Sequence, residues 1–288
     1  MVVKGSTRTT LTLINIDTGQ SRVADSAREP VLTWFLDDRM RPVMRVEKSK
    51  TGALHLYRVS KDGGQTWQLR FQHDYLNEGF LPIVYSKRTN SFTVLAEPED
   101  AERTGLYEFS LDTGKFTRLV FEHDSLDLSS ARVSGSTDNL LYASYWDDKL
   151  EKHWFDDGAA RLARAVDKAL PDEANWTVFD ISENGDAWVI FVSSPINPGE
   201  FYVLRKDMKR LRKISDTRPH VNLKSTSMPR RIDYTASDGL RLRGYFTPSI
   251  KSPETAPLIV MPHGGPVSRD SLDWDGWAQY FAFRGYSV

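Results

Sequence analysis

Short apolar runs separated by turn residues occupy most of the chain. Five of them are rich in β-branched and aromatic residues and are bounded by Asp, Gly, Asn, Ser or Pro, a pattern typical of β-strands. From about residue 11 to residue 223 the pattern therefore predicts a mainly β fold. The five runs are 31–36, 81–85, 92–96, 140–146 and 187–192.

A strand–turn–strand unit recurs within this region. Aligned copies lie at Leu13, Leu56, Tyr107 and Tyr202, in steps of 43, 51 and 95 residues, and the last step leaves room for a degenerate copy near His153. A hairpin that recurs every ~40–50 residues is typical of four-stranded propeller blades. The step is too long for the successive hairpins of an ordinary β-sandwich, the alternative fold. We therefore expect a β-propeller with about five blades visible, incomplete at its N-terminus.

One segment interrupts the strand pattern with helical spacing. Ala159, Ala163 and Val166 recur at intervals of three or four residues, and Pro171 follows the segment, so a helix is predicted over 157–170. A helix inserted into one blade explains why the repeat is degenerate near His153.

A second zone starts near residue 230. Residues 231–248 read as a β-hairpin that turns at Asp238-Gly239. The continuous apolar run 258–261 resembles strands that are buried on both faces in α/β sheets. Residues 275–284 form a predicted amphipathic helix that ends at Gly285, and a further strand begins at Tyr286. The residues expected to face inward on this helix are Trp277, Ala278 and Phe281, with Tyr280 as a further candidate.

The pattern thus divides the chain in two. Residues 1–228 are predicted to be the incomplete propeller, and residues 229–288 the first elements of an α/β domain, which the loop motif at residues 263–266 assigns to the α/β-hydrolase type. Because the last predicted strand stops at Val288, we expect the hydrolase domain to be truncated there.

The sharpest chemical motif is His263-Gly264-Gly265-Pro266, directly after the apolar run. An acyl-transfer enzyme stabilises a developing oxyanion with backbone N–H groups, and glycine leaves those groups uncrowded. In α/β-hydrolases such a loop follows the third strand. The alternative is a plain turn at a strand end, but the neighbouring elements favour an oxyanion loop.

Together these motifs resemble acylaminoacyl-peptidase-type members of the prolyl oligopeptidase family. The residues that carry the resemblance are 238–240, 258–261, 263–266 and 284–288. It implies a serine-type peptidase that hydrolyses short peptides through an acyl-enzyme, without a cofactor. It also implies that the Gly264-Gly265 pair, most directly Gly265, supplies an oxyanion-hole N–H. His263 occupies the place where other branches of the family have a tyrosine.

The catalytic triad is not found in this chain. A nucleophile elbow reads Gly-x-Ser-x-Gly, and no two glycines here are four residues apart. His263 is not read as the triad base, because the triad follows the oxyanion loop in this fold. We therefore expect the triad beyond residue 288 and no activity from residues 1–288 alone. A carboxylesterase on the same scaffold and a non-catalytic propeller that serves as a binding module remain alternatives.

Two other patterns are interpreted as structural. Residues 60–67 read Ser-Lys-Asp-Gly-Gly-Gln-Thr-Trp, a box that sialidase propellers repeat, but one clear copy favours a structural turn. The acidic pair Asp147-Asp148 is predicted to be a solvated turn rather than an acid/base pair.

Composition excludes several classes of partner. The net charge of -1 gives no strong field for nucleic acid or an acidic membrane. The chain has no cysteine, so disulfides and thiolate metal sites are excluded, and its histidines lack metal-ligand spacing. Its start lacks the apolar stretch of a secretory signal, and no run reaches the ~18 apolar residues of a membrane helix. We expect a cytoplasmic protein, although the composition does not exclude the periplasm. The sequence leaves open whether the protein forms a homo-oligomer.

Overall fold

The structure, a computed structural model, describes residues 8–74, 80–134, 139–205, 207–265 and 268–288. It divides into two compact units, residues 1–128 and residues 129–288. The described chain is mainly β, as predicted, and its sheets are antiparallel meanders.

The first unit holds one hairpin and two four-stranded sheets. Within each four-stranded sheet the strands follow one another in chain order, which is the topology of a propeller blade. The hairpin pairs β1 (Thr9–Ile14) with β2 (Ser21–Ala27). The first sheet contains β3 (Val31–Leu36), β4 (Pro42–Lys48), β5 (Leu54–Val59) and β6 (Gln68–Asp74). The second sheet contains β7 (Phe80–Ser86), β8 (Ser91–Ala96), β9 (Gly105–Ser110) and β10 (Lys115–Phe121).

Aromatic and aliphatic side chains from both four-stranded sheets form one core in this unit. Met44, Val94 and Phe109 are completely buried in it. The rings of Phe80 and Phe109 lie 4.6 Å apart between centroids. Such contacts explain why the strand signal of β-branched and aromatic residues was reliable, since these side chains pack well on a pleated surface.

The box over residues 60–67 forms a tight turn between β5 and β6. The Asp62 carboxylate accepts hydrogen bonds from the backbone N–H of Thr66 at 2.9 Å and from its hydroxyl at 2.6 Å. The Ser60 hydroxyl oxygen accepts the Gly64 N–H at 2.7 Å. The two bonds from Thr66, together with one that the Ser60 hydroxyl donates to Asp62 at 2.7 Å, hold the pKa of Asp62 down at about 2. The predicted structural role is confirmed.

The second unit continues the meanders. A three-stranded sheet contains β11 (Leu128–Val133), β12 (Leu140–Trp146) and β13 (Leu150–Trp154), and helix α1 (Asp157–Ala169) follows it. A four-stranded sheet contains β14 (Asn175–Ile181), β15 (Ala187–Ser194), β16 (Asn197–Arg205) and β17 (Met208–Asp216). The predicted hairpin repeats are the third and fourth strands of three sheets: β5–β6, β9–β10 and β16–β17.

Helix α1 occurs where a fourth strand would follow β13, which confirms the predicted interruption of the repeat. Asp156 caps its first turn by accepting the Ala159 N–H at 2.7 Å. The buried face of the helix packs into a core that contains Trp176 and Trp188. A helix can replace the strand because its apolar face covers the same core.

The rest of the second unit contains a short 3₁₀-helix (Leu223–Ser225), the hairpin of β18 (Arg230–Thr235) and β19 (Arg241–Phe246), and helix α2 (Gly276–Arg284). The hairpin turns at Gly239, whose φ is +89°. Helix α2 ends at Gly285, where φ is +104°. Both glycines were predicted, because only glycine readily adopts these positive angles.

Two predictions about this region are wrong. The run 258–261 is not a strand buried on both faces: Leu258 is 61% and Val260 80% exposed. Other segments must cover a strand before it is buried on both faces, and the described segments leave these two side chains uncovered. On α2, Trp277 is 68% exposed and Tyr280 is also exposed, so neither faces inward. The buried face of α2 consists of Ala278, Gln279 and Ala282.

Candidate active-site loop

The segment before the candidate loop pairs with the end of the chain. Leu258 and Ser287 form a parallel bridge. The Ile259 N–H donates to the Ser287 carbonyl at 2.8 Å, and the Ser287 N–H donates to the Pro257 carbonyl at 3.0 Å. Because α2 lies between the two paired segments in the chain, this is a parallel crossover through a helix, the connection typical of α/β sheets.

The candidate oxyanion residues lie in an open loop. His263, Gly264 and Gly265 are all exposed, and a β-carbon added at Gly264 would have no other atom within 4 Å. The His263 Nδ1 lies 2.9 Å from the carbonyl oxygen of Gly264, within hydrogen-bond distance. Gly265 has φ +151°, an angle that disfavours a side chain. Pro266 lies outside the described residues.

The segment after the loop is attached to the turn between β12 and β13. The Leu272 N–H donates to the Asp148 carbonyl at 2.7 Å. The Arg269 guanidinium donates to the carbonyls of Trp146 at 2.9 Å and Asp147 at 2.7 Å. The sheets of this unit therefore fix the chain a few residues after Gly265.

Two side chains from β14 and β15 add further contacts to this segment. Asn175 donates from Nδ2 to the Leu272 carbonyl at 2.7 Å. The Ser193 hydroxyl donates to Asp273 at 3.1 Å. Sequence reasoning missed both residues, because these contacts join positions 97 and 80 residues apart and no local pattern marks them.

The acidic turn Asp147-Asp148 also binds the hairpin of β18 and β19. Asp148 forms ion pairs with Arg231 at 3.0 Å and Arg243 at 3.3 Å, and the Tyr245 hydroxyl donates to it at 2.8 Å. Arg243 pairs with Asp147 as well, at 2.8 Å. The pair lies in the predicted turn, with Asp147 54% exposed, and it also carries the ionic contacts between this turn and the hairpin.

The surroundings of Asp148 change two pKa values. Burial by itself would raise the pKa of Asp148, but the hydrogen bonds from Tyr245 and Arg231, with the nearby charges of Arg243 and Arg231, lower it overall. Burial raises the pKa of Tyr245, and the hydrogen bond to the Asp148 carboxylate raises it further. Asp148 is therefore ionised, and Tyr245 is a neutral donor, across the usual pH range.

The buried side-chain amide of Gln279 attaches helix α2 to two other segments of this unit. Gln279, 5% exposed, donates from Nε2 to the carbonyls of Ser227 at 2.7 Å and Pro195 at 2.9 Å. Its Oε1 accepts the Ser227 N–H at 2.8 Å. The side chain thus attaches the helix to the segment before β18 and to the turn before β16.

Neither a metal-binding cluster nor a helix able to cross a membrane is present among the described residues. Among residues 8–74, 80–134, 139–205, 207–265 and 268–288, no group of three or more His, Cys, Asp or Glu side chains is arranged to hold a metal ion. Within the same ranges, no helix has the length and apolar character needed to cross a membrane.

Comparison with known proteins finds similarity to peptidases. No model of a protein family matches the chain. Among the curated proteins that do match, dipeptidyl peptidase family member 6 of Caenorhabditis elegans is 20% identical over 88% of the chain. Dipeptidyl aminopeptidase BIII of Pseudoxanthomonas mexicana is 28% identical over 64% of the chain. The chain spans 38% and 27% of the lengths of these two relatives.

The solved structures agree in fold. A puromycin-hydrolyzing peptidase of Mycobacterium tuberculosis matches 94% of the chain with a TM-score of 0.63 and 16% identity, and the chain covers 43% of it. The relatives and structural neighbours of this chain are members of the prolyl oligopeptidase and dipeptidyl peptidase family, and the predicted resemblance is confirmed. The neighbours are propeller-containing enzymes.

Proposed function

We propose that the chain is part of a serine-type peptidase that hydrolyses short peptides through an acyl-enzyme. The observation that carries the proposal is the parallel crossover from Leu258 through α2 to Ser287, with His263, Gly264 and Gly265 in the loop that leaves its first segment. Loops at the carboxyl edge of a parallel sheet are where α/β enzymes bind ligands. The named peptidase relatives favour the peptide bond as the substrate.

The proposal includes a domain arrangement. Residues 1–228 form a β-propeller of which about five blades are visible, and residues 229–288 begin the α/β-hydrolase domain. The meander sheets support the first part, and the crossover through α2 supports the second. The propeller limits access to the active site, so that short peptides enter and folded proteins do not.

Within this scheme the chain supplies electrostatic stabilisation rather than the nucleophile. A serine located beyond residue 288 attacks the peptide carbonyl, and the carbonyl oxygen becomes an oxyanion. The Gly265 N–H, assisted by the Gly264 backbone, donates to that oxygen, and this donor is worth most in a site from which water is excluded. His263 stands beside the oxyanion position or braces the loop that forms it.

Gly265→Val in the full-length protein tests this role. Valine disfavours φ +151° and crowds the approach to the N–H, so we expect kcat to fall by about 10²–10³-fold, the cost of losing one oxyanion donor. Gly19→Val is the matched control: Gly19 has φ +70° in an exposed turn with no other atom within 4 Å of an added β-carbon. It carries comparable backbone strain and should retain kcat. A folded Gly265→Val enzyme with the kcat of the wild type would show that other groups hold the oxyanion.

Activity and labelling assays on the full-length protein distinguish a peptidase from a carboxylesterase and from a binding module. A peptidase cleaves peptide amides and is labelled by a fluorophosphonate at one serine beyond residue 288. A carboxylesterase is labelled too but cleaves esters alone. A binding module is neither labelled nor active.

A further inference from the structure

The backbone of Leu272 is held through both its N–H and its carbonyl by residues of the β-sheets. Its N–H donates to the Asp148 carbonyl at 2.7 Å, and its carbonyl accepts from Asn175 Nδ2 at 2.7 Å. Asn175 Oδ1 at the same time accepts the Leu150 N–H at 2.9 Å. One amide therefore joins the first residue of β13 to the segment that follows the candidate loop.

Asn175 is well suited to this position. The residue is 3% exposed, and it offers a donor and an acceptor that face in different directions. Aspartate would keep the acceptor for Leu150 but would lose the donor for Leu272, and it would add a charge near Asp148. Alanine would leave the Leu150 N–H and the Leu272 carbonyl without their partner, and an unsatisfied buried polar group is costly.

We infer that Asn175 is a positioning residue for the candidate oxyanion loop. The loop is fixed before Gly265 by the pairing of Ile259 with Ser287, and after it by the bonds on Leu272. Asn175 supplies one of the bonds that fix the chain after Gly265, beside those of Arg269 and the contact of Ser193 with Asp273. Loss of the Asn175 bond would loosen this attachment, and the Gly265 N–H would then sample more directions. The inference rests on the proposed function, because it assigns Asn175 to the same reaction.

Gln279 provides a matched comparison. It is also a buried amide, and it joins α2 to Ser227 and Pro195 by three hydrogen bonds. None of these bonds reaches the candidate loop. Loss of either amide should therefore weaken the fold, but loss of Asn175 alone should disturb the loop.

The first test uses residues 1–288 and does not depend on catalysis. Hydrogen exchange followed by mass spectrometry compares the wild type with Asn175→Ala, Asn175→Asp and Gln279→Ala. We expect the amide of Leu272 to exchange about tenfold faster in both Asn175 variants. It still donates to the Asp148 carbonyl, but the Leu272 carbonyl loses its bond from Asn175, and the segment therefore opens more often. Gln279→Ala should accelerate exchange in α2 and leave Leu272 unchanged. Unchanged exchange at Leu272 in the Asn175 variants would overturn the inference.

The second test measures the full-length protein on a peptide substrate. We expect Asn175→Ala to lower kcat about 10–100-fold, as for a misplaced catalytic group, with KM changed less than about threefold. Gln279→Ala should lower the unfolding midpoint but keep kcat. Asn175→Asp has nearly the same shape and replaces the alanine variant if that one does not fold.

The outcomes separate the two claims. If the wild-type protein hydrolyses peptides and the folded Asn175 variants keep its kcat, the inference is wrong and the proposed function stands. If the wild type hydrolyses nothing, the proposed function fails and with it the catalytic role of Asn175. The exchange at Leu272 then reports whether Asn175 holds the loop in a protein of another function.

Discussion

The chain holds two charged clusters of similar composition that differ in burial. The buried cluster lies in the first unit and consists of Asp25, Arg45, Glu47 and Arg58, joined by ion pairs of 2.6–2.7 Å. The turn cluster lies in the second unit and consists of Asp147, Asp148, Arg231 and Arg243, joined by ion pairs of 2.8–3.3 Å.

Burial makes the first cluster a fixed part of the fold. Glu47 is 2% exposed, and Arg45 and Asp25 are each 8% exposed. The indole N–H groups of Trp34 and Trp67 also donate to Asp25, at 2.7 and 3.2 Å. A buried ion pair contributes little over an apolar alternative, but removal of one partner leaves a buried charge uncompensated. This cluster therefore joins β2 to the first sheet by contacts that are costly to break.

Exposure gives the turn cluster a different character. Surface ion pairs are weak and are screened by salt, so these contacts can rearrange without unfolding a core. They join the Asp147-Asp148 turn to the hairpin of β18 and β19. The segment after the candidate loop is attached to the same turn. The comparison teaches that the same residue types form a fixed part of the fold where they are buried and a weaker, salt-sensitive contact where they are exposed.

The largest effect is expected from Glu47→Gln. The substitution keeps the shape of the side chain but leaves Arg45 and Arg58 without their shared carboxylate. We expect a loss of about 3–5 kcal/mol in the free energy of unfolding, measured by urea titration with hydrogen exchange in β3 to β6 as a local readout. A loss below about 1 kcal/mol, in the range of surface pairs, would mean that burial does not distinguish the two clusters.

A smaller, salt-dependent effect is expected from Asp148→Asn. The variant loses the ion pairs with Arg231 and Arg243 but keeps an acceptor for Tyr245. We expect a loss of about 1 kcal/mol at low salt that shrinks as ionic strength rises, measured by urea unfolding with exchange in β18 and β19 as readout. An equal loss in 1 M salt would show that the contact is not mainly ionic.

The same variant has a defined pH dependence. The pKa of Asp148 is lower in the folded protein than its usual 3.8. Its stabilising contribution is therefore fully present above pH 3.8 and is lost as the pH falls through the lowered pKa. The difference in stability between the wild type and Asp148→Asn should vanish in strong acid. A difference that persists there would argue against the ionised carboxylate as its source.

The smallest effect is expected from Lys61→Ala. Lys61 pairs with Asp112 at 2.5 Å, but the two side chains are 62% and 50% exposed. We expect no measurable change in unfolding, since many exposed pairs contribute nothing detectable. A loss as large as that of Glu47→Gln would show that exposure is a poor guide to the value of an ion pair in this chain.

Local sequence signals predicted the elements of this fold well. The five predicted strand runs, the recurring hairpins and α1 are present in the structure, because each depends on residues close together in the chain, whereas β4, β11 and β14 were not predicted. The box at residues 60–67 was read correctly for the same reason: the hydrogen bonds that form its turn, among Ser60, Asp62, Gly64 and Thr66, span four residues or fewer.

The same signals failed where burial depends on distant partners. Periodicity placed Trp277 inward on α2, yet the structure buries Gln279 instead, because an amide with three hydrogen-bond partners is stable inside. The run 258–261 looked like a strand buried on both faces, but such burial requires other segments of the chain to pack against it. No local pattern marked Asn175 or Arg269, because each forms hydrogen bonds to residues about a hundred positions away in the chain.

The sequence by itself thus determined much of the β meanders, the inserted helix and the His-Gly-Gly motif at residues 263–265, the candidate oxyanion loop. These follow from side-chain periodicity and from the conformational freedom of glycine, which are properties of short segments. Only the tertiary structure decided that the turn at Asp147-Asp148 receives the segment after that motif and that Asn175 holds it. Such contacts form between residues that meet only when the chain has folded, and hydropathy does not record a hydrogen-bond partner.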